Sequence, residues 1–296
     1  MLPSKDGVGA SCIALPPGKW LTILDFLTEY FPAIEKSEWI ARMRRGEVLT
    51  AEEIPVTPQQ AYQAHIKIYY YRSIANETPI PFQEEILFKD DYLVVVDKPH
   101  FLPVVPAGRY LQETLLVRVK RKLGIETLAP MHRIDRETAG LVLFTIQPKT
   151  RNAYQSLFRD KKVEKTYHAI APFKATLNFP LTYRSRLVES ENFMQMTEVE
   201  GEPNAETKIQ LIEIKNNLGY YILHPITGQK HQLRVQMSAL GIPLLNDRIY
   251  PELLLNPDIE NDFSHPLKLL AKSIEFIDPI TGKLRQFESK QQLNFD

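Results

Sequence analysis

The sequence of 296 residues lacks the features that mark several classes of protein. It has a single cysteine, Cys12, so an intramolecular disulfide is excluded. Its seven histidines do not show the spacing of a zinc site. No apolar run reaches the roughly 18 residues that cross a membrane, and the N-terminus lacks the sustained apolar stretch of a secretory signal. We therefore expect a cytoplasmic protein with no membrane span and no metal.

The charge of the chain is balanced rather than of one sign. Lysine and arginine number 36, aspartate and glutamate also 36, and the formal net charge is +0. Any surface for nucleic acid must therefore come from local clusters of charge. Hydrophobic residues make up 44% of the chain and charged residues 24%, which is typical of globular proteins. No phosphate-binding loop or dinucleotide fingerprint occurs, so we expect no cofactor.

The sequence divides into four segments. Residues 1–18 contain Gly, Ser and Pro breakers, which predict a loose tail. Residues 19–73 combine two helical patterns with short strand patterns, which predict a small α/β domain. The polar residues 74–85 are predicted to be a linker. Residues 86–296 are predicted to form an α+β domain with a mixed, largely antiparallel sheet and flanking helices, because short turns join consecutive strands.

The patterns of the large domain predict individual elements. The predicted strands are 86–98, 141–145, 163–171, 181–188, 194–199, 205–215 and 219–224. The predicted helices are 111–122, 150–161 and 229–240. Two adjacent asparagines, Asn216 and Asn217, predict a hairpin turn between the last two strands.

Three short segments carry the side chains that could perform chemistry. The polar segment 131–140 precedes the apolar run 141–144, and loops held by strands often carry catalytic groups. Segment 227–236 places a histidine and an arginine three residues apart, on one face of a helix. Segment 165–169 alternates along a predicted strand. Taken singly, each also fits an ordinary structural role, such as a surface ion pair worth under about 1 kcal/mol.

Taken together and in this order, the segments resemble the RluA family of pseudouridine synthases. The family signature is His-Arg-Leu-Asp, two variable residues and Thr-Ser-Gly, and this chain has His-Arg-Ile-Asp-Arg-Glu-Thr-Ala-Gly at 132–140. The resemblance covers about residues 86–282. Its further motifs lie at 97–106, 165–169, 205–207, 227–234 and 247–250. The small domain also resembles the RNA-binding domain that often precedes this catalytic domain.

The resemblance implies an isomerase that converts uridine in RNA to pseudouridine without a cofactor. It implies Asp135 as the nucleophile, Arg234 as its partner and Tyr167 as the ring that stacks on the base. Arg133 would fill the space of the flipped base. The other residues implied to contact substrate are His132, Arg136, Thr138, Lys165, His231 and Gln232.

The chemistry of pseudouridine formation suits these residue types. Burial would raise the pKa of Asp135 above roughly 3.9, and an adjacent guanidinium would oppose that rise. Unstacking a base costs a few kcal/mol, and stacking on an aromatic ring returns about 1–3 kcal/mol. A phenol with a pKa near roughly 10 is a weak base, so stacking is favoured for Tyr167. Attack on the sugar and attack on the base both stay open.

The predicted partner is RNA, with ribosomal RNA favoured over transfer RNA, and we expect a monomer. Local basic clusters are predicted to follow the phosphates. They are Arg42, Arg44 and Arg45; Arg118, Lys120, Arg121 and Lys122; and Arg159, Lys161, Lys162 and Lys165.

Two other functions stay open, and several positions depart from the family, among them Phe101, Ala139 and Pro251. A non-catalytic RNA-binding or ribosome-assembly protein on the same fold is the main alternative. A glycosidase is less favoured, because the second carboxylate of Asp135 and Glu137 has no role in the resemblance. Phe101 stands where the family usually has glycine.

Overall fold

The structure is a computed structural model that describes residues 4–5, 7–74, 77–192, 194–254 and 262–295. The chain forms two compact units. The first is Met1–Glu77 with Pro106–Gln112, and the second is Thr78–Val105 with Glu113–Asp296. The division after residue 77 falls within the predicted linker. Residues 1–3 and 6 of the predicted tail, and 75–76 of the predicted linker, lie outside the described residues.

The first unit contains two helices and a small antiparallel sheet. Its elements are β1 (Ser11–Ala14), α1 (Ile23–Tyr30), α2 (Lys36–Arg44), β2 (Val48–Thr50) and β3 (Lys67–Tyr70), with strand order β1-β3-β2. A capping box between Thr22 and Asp25 begins α1, which satisfies backbone N–H groups that the helix cannot. Trp39 of α2 is fully buried in the core that α1 and the strands share. The RNA-binding role of this unit stays a prediction.

The prediction of a loose tail is wrong for residues 11–15. β1 pairs with β3 from Ser11 opposite Tyr70 to Ala14 opposite Lys67. Leu15 follows with 1% of its surface exposed and belongs to the core. The strand is too short for a pattern of alternation to reveal it, and its pairing partner lies far along the chain.

The second unit is built on one large sheet, which has eleven strands among the described residues. The strands are β4 (Glu85–Lys89), β5 (Leu93–Lys98), β6 (Ala129–Pro130), β7 (Ala139–Thr145), β8 (Glu164–Pro172), β9 (Leu181–Glu189), β10 (Met196–Val199), β11 (Ala205–Lys215), β12 (Leu218–Pro225), β13 (Leu269–Ile277) and β14 (Leu284–Glu288). The helices are α3 (Leu115–Leu123), α4 (Arg151–Arg159) and α5 (Gln232–Ala239).

The strands run in the order β10-β9-β11-β12-β8-β13-β7-β5-β4, with β14 paired to β13 and β6 to β7. The β7–β13 pair is parallel, and the other pairs are antiparallel. The predicted mixed and largely antiparallel sheet with flanking helices is therefore confirmed. The predicted hairpin turn is also present, because Asn216 and Asn217 both have positive φ between β11 and β12.

Two details of the predicted sheet differ from the structure. The predicted strand 86–98 is a hairpin of β4 and β5, because the Asp90 carboxylate accepts hydrogen bonds of 2.8 Å from the backbone of Tyr92 and Leu93. β13 and β14 were not predicted at all. β13 nevertheless occupies the middle of the sheet, between β7 and β8.

The close approach of β7 and β13 fixes the start of β7. Gly140 pairs with Ala271, and a Cβ added at Gly140 would lie 2.2 Å from the carbonyl oxygen of Ala271. Only glycine fits there, and its φ of 108° also favours glycine. Helix α5 packs on the neighbouring strands β8, β11 and β12, and it buries Leu233 and Met237 against them. These contacts bring the loop before β7, strand β8 and the start of α5 together.

No helix among the described residues is long and apolar enough to cross a membrane.

Candidate active site

Asp135 lies in the loop between β6 and β7, and Arg234 lies in the first turn of α5. The Nη1 atom of Arg234 donates a hydrogen bond of 3.2 Å to Oδ2 of Asp135. The Asp135 side chain keeps 25% of its surface exposed, whereas that of Arg234 keeps 1%. The carboxylate is therefore partly exposed to solvent, whereas its cationic partner is buried.

A second carboxylate fixes Arg234 in place. Nε and Nη2 of Arg234 donate to Oδ2 and Oδ1 of Asp247 at 2.8 and 2.7 Å. Asp247 is itself fully buried, and its Oδ1 also accepts from the backbone of Ile249 and Tyr250. This bidentate pairing leaves Nη1 as the edge that faces Asp135 and Glu137, the latter at 3.6 Å.

The electrostatics of the pair keep both groups charged. Burial raises the pKa of the Asp135 carboxyl, but the charges of Arg234 and His231 outweigh it and leave the pKa below its ordinary value. Burial lowers the pKa of Arg234, but the hydrogen bonds and charge of Asp247 more than offset that effect and raise it. At neutral pH the site therefore holds an ionised carboxylate, as a nucleophile requires.

Tyr167 lies on β8 at the edge of the apolar cluster that α5 packs against. Burial, and then the charge of Asp135, raise the pKa of its phenol well above the ordinary value. No described side chain forms a hydrogen bond with its hydroxyl. The ring is thus a neutral, half-buried aromatic surface beside the carboxylate, and its hydroxyl stays protonated at neutral pH.

The side chain of Lys98, at the end of β5, joins the loop after β5 to the loop that carries Asp135. Its Nζ donates to the carbonyls of Pro99, Leu102 and Arg136 at 2.9, 2.8 and 3.0 Å. Three acceptors match the three protons of an ammonium group. Burial lowers the pKa of Lys98 to about 7, although the charges of Glu137 and Asp135 oppose the shift. The sequence analysis had matched this residue to a motif but had assigned it no role.

His231 precedes α5 as its N-cap, in the left-handed conformation. Its Nε2 faces Oδ1 of Asp135 at 3.8 Å, and its Nδ1 lies 2.9 Å from the hydroxyl of Tyr250. The structure therefore places His231 beside the carboxylate. The predicted helix 229–240 begins only at Gln232, so His231 precedes the helix that carries Arg234. Burial lowers the pKa of His231, so the neutral imidazole is favoured.

Gln232 belongs to the frame of the site. Its carbonyl oxygen accepts from Thr227 and from the Gln229 backbone, and its amide donates to Glu206 and Thr207. All four positions of the amide are thus occupied within the protein. These hydrogen bonds give Gln232 a structural role, and its contact with substrate stays a prediction.

His132 and Thr138 support the loop that carries Asp135. Nε2 of His132 accepts from the backbone of Leu143 at 3.2 Å, and its ring stacks on Phe158. Burial lowers the pKa of His132 to about 3, so the ring stays neutral. Thr138 is buried, and its backbone N–H donates to the carbonyl of Asp135 at 3.2 Å. These interactions shape the loop, and substrate contact by either residue stays a prediction.

The basic residues near the site differ in their accessibility. Arg136 donates to the Phe101 carbonyl and contacts Glu137. Lys165, two residues before Tyr167 on β8, donates to the Thr227 carbonyl at 2.9 Å, and burial lowers its pKa to about 8. Arg133 is exposed and has no polar partner among the described residues. Arg133 and Lys165 therefore have no carboxylate within ion-pair distance among the described residues.

The predicted basic clusters are only partly available to phosphates. Arg42 is buried and bound to Glu38. Arg118 contacts Glu113 and donates to the carbonyls of Phe82 and Ile80, which leaves 10% of its side chain exposed. Both guanidinium groups are largely buried and already bound within the protein, Arg42 by a carboxylate and Arg118 by a carboxylate and two carbonyls, so neither is available to a phosphate. Arg44, Lys161 and Lys162 are exposed, as a phosphate contact requires.

Phe101 has the backbone conformation of the glycine that usually stands at its place. Its φ is 66°, in the left-handed region. Its ring is 2% exposed and packs against Phe82 and Phe263. Backbone strain of about 1–3 kcal/mol is offset by burial of the ring, so the loop keeps its course without the glycine.

Comparisons with known proteins identify the family of the chain. The family described as RNA pseudouridylate synthase matches residues 92–239. A dual-specificity RNA pseudouridine synthase RluA of Haemophilus ducreyi is 31% identical and aligns with 71% of this chain and 94% of its own. A Synechocystis protein named as an uncharacterized RNA pseudouridine synthase is 28% identical, over 77% of this chain and 79% of its own.

A solved structure supports the fold. The human RNA pseudouridylate synthase domain containing 1 superposes with a TM-score of 0.58 at 18% identity, covering 71% of this chain and 84% of that one. The family model and the sequence relatives confirm the resemblance and the isomerase activity on RNA that it implied. The chain belongs to the RNA pseudouridylate synthases and is of the RluA type.

Proposed function

We propose that Asp135 is the nucleophile with which this enzyme isomerises uridine in RNA, and that no cofactor takes part. The observation that carries the proposal is the pairing of Asp135 with Arg234. One carboxylate oxygen is held by a guanidinium that is itself clamped to buried Asp247, while the side chain stays 25% exposed. Such a fixed, ionised and accessible carboxylate is suited to attack on a bound nucleoside.

In this proposal Tyr167 binds the flipped uridine, and Arg133 takes the place of that base in the RNA. The neutral ring of Tyr167 provides a stacking surface, and its raised pKa argues against a role as a base. Arg133 fills the space that the base leaves, which agrees with its exposed position two residues before Asp135. Lys165 binds a phosphate, since it carries a charge without a carboxylate partner.

We further propose that the enzyme prefers ribosomal RNA to transfer RNA and acts as a monomer in the cytoplasm. The small first unit favours a large structured RNA, through the predicted RNA-binding role. One relative is named a dual-specificity enzyme, so the test offers both substrates. Unmodified ribosomal and transfer RNA transcripts carrying tritium at carbon five of uridine are incubated separately with the protein.

The expected result is tritium release from ribosomal RNA, with release from transfer RNA slower or absent. Faster release from transfer RNA would overturn the preference. Binding of both RNAs with no release from either, alone or in assembled particles, would favour the non-catalytic alternative.

A further inference from the structure

The two oxygens of Asp135 have different surroundings. Oδ2 accepts a hydrogen bond from Arg234, whereas Oδ1 has no hydrogen-bond donor within reach among the described residues. Oδ1 instead faces Nε2 of His231 at 3.8 Å, which is beyond a direct hydrogen bond. The oxygen that is free to attack is therefore the one beside the imidazole.

A chain of hydrogen bonds favours one tautomer of His231. The backbone N–H of Met196 donates to the hydroxyl oxygen of Tyr250 at 2.7 Å. Burial raises the pKa of Tyr250, so its hydroxyl keeps a proton that it can donate to Nδ1 of His231 at 2.9 Å. With Nδ1 as acceptor, the neutral ring has its proton on Nε2, facing Asp135.

The backbone of His231 is held in an uncommon conformation that aims the ring. Its φ of 54° and ψ of 17° lie in the left-handed region, which only a few per cent of residues other than glycine adopt. The next residue, Gln232, is held in place by hydrogen bonds that its side-chain amide forms with Thr227 and Thr207. Side chains held in sparsely populated conformations by their surroundings cluster at functional sites.

We propose that His231 is a positioning residue for Asp135, with Tyr250 fixing its tautomer. The proposal rests on the role of Asp135 in the proposed function. The Nε2–H group turns Oδ1 toward the substrate and, at 3.8 Å, leaves the negative charge of that oxygen available for attack. This role differs from the substrate contact that the family resemblance implies for His231.

Steady-state kinetics separate positioning from substrate binding. His231→Ala is expected to lower kcat about 100-fold, since misplacement of a reacting group has effects of that order, and to leave KM unchanged. His231→Gln keeps an N–H donor near the place of Nε2 and should retain more than about a tenth of the wild-type kcat. Tyr250→Phe, which frees the tautomer, should fall between wild type and His231→Ala.

The matched control is His65→Gln, the same change at an exposed histidine that also has positive φ, in the first unit. It should leave kcat and KM unchanged. Melting temperatures of all variants show whether any loss reflects unfolding.

The dependence of kcat on pH adds a readout that a merely structural role would not change. The groups facing the ring are Asp135, Arg234, Lys230, Glu137 and Tyr250. Protonation of His231 puts a cation against Oδ1, so the kcat of the wild type should fall as pH drops through the lowered pKa of His231. In His231→Gln this acid limb should disappear.

Three outcomes would overturn the proposal. A raised KM with unchanged kcat in His231→Ala would mean substrate binding. Equal losses in the Ala and Gln variants with an unchanged acid limb would mean a structural role. A wild-type kcat in His231→Ala, together with an inactive Asp135→Asn variant, would overturn the role of His231 and leave Asp135 as the nucleophile. Activity in Asp135→Asn would overturn the proposed function itself.

Discussion

Arg234 shows how one residue connects the stability of the site to its chemistry. A buried cation needs a partner, because removing one member of a buried pair costs about 3–5 kcal/mol. Asp247 supplies that partner with both oxygens, so the guanidinium cannot turn away from Asp135. The planar shape of arginine, with donors on two edges, allows it to bind both carboxylates at once.

Replacing Arg234 by lysine tests this geometry. An ammonium group cannot pair with two oxygens of Asp247 and still reach Asp135, so we expect kcat to fall at least about 100-fold. The melting temperature should also fall, because part of the buried charge on Asp247 loses its partner. A wild-type rate in Arg234→Lys would contradict the need for a guanidinium that binds Asp247 and Asp135 at once.

Tyr167 is predicted to act through its ring rather than through its hydroxyl. Tyr167→Phe keeps the stacking surface, so its single-turnover rate should stay within about tenfold of wild type. A general base contributes about 100-fold or more. A loss of that size in a folded Tyr167→Phe variant would therefore show that the hydroxyl takes part in proton transfer.

At the scale of elements, the loop after β5 and the loop before β7 together form one side of the site. The buried ammonium group of Lys98 joins the two loops through the carbonyls of Leu102 and Arg136. Its pKa is lowered to about 7 by burial, so the unfolded chain binds more protons above that pH. The contribution of Lys98 to stability should therefore rise with pH between the folded and the higher unfolded pKa.

Urea unfolding of wild type and Lys98→Met at a series of pH values measures this contribution. The difference in unfolding free energy should shift in favour of the wild type above pH 7, by up to about 1.4 kcal/mol per pH unit. Lys290→Met, at a lysine side chain with 67% of its surface exposed, is the control and should show no such shift. A difference independent of pH would show that the three carbonyls keep Lys98 charged throughout.

At the scale of the whole molecule, the sequence predicted the parts of the site that lie within short motifs. Asp135, Tyr167 and Arg234 were found because their order matched a family, and the long strands were found from their patterns. β1 and β13 were missed because their partners lie far along the chain. The role of Asp247 and the burial of Arg118 depend on contacts between distant segments, which spacing cannot reveal.

The exposed and the buried arginines predict different effects on RNA binding. Arg44→Ala, at an exposed arginine, should weaken binding and reduce the salt dependence of log K by about 1, the slope of one phosphate contact. Arg118→Met should instead lower the melting temperature and leave the slope unchanged, because its guanidinium is bound within the protein. An unchanged slope in Arg44→Ala would remove that residue from the RNA surface.

The most direct test of the nucleophile compares two aspartate variants on RNA labelled with tritium at carbon five of uridine. Asp135→Asn should release no tritium while it keeps its fold and its affinity for RNA. The control Asp91→Asn, at an exposed aspartate in the β4–β5 turn, should release tritium at the wild-type rate. Release by Asp135→Asn at a rate comparable to wild type would contradict the account.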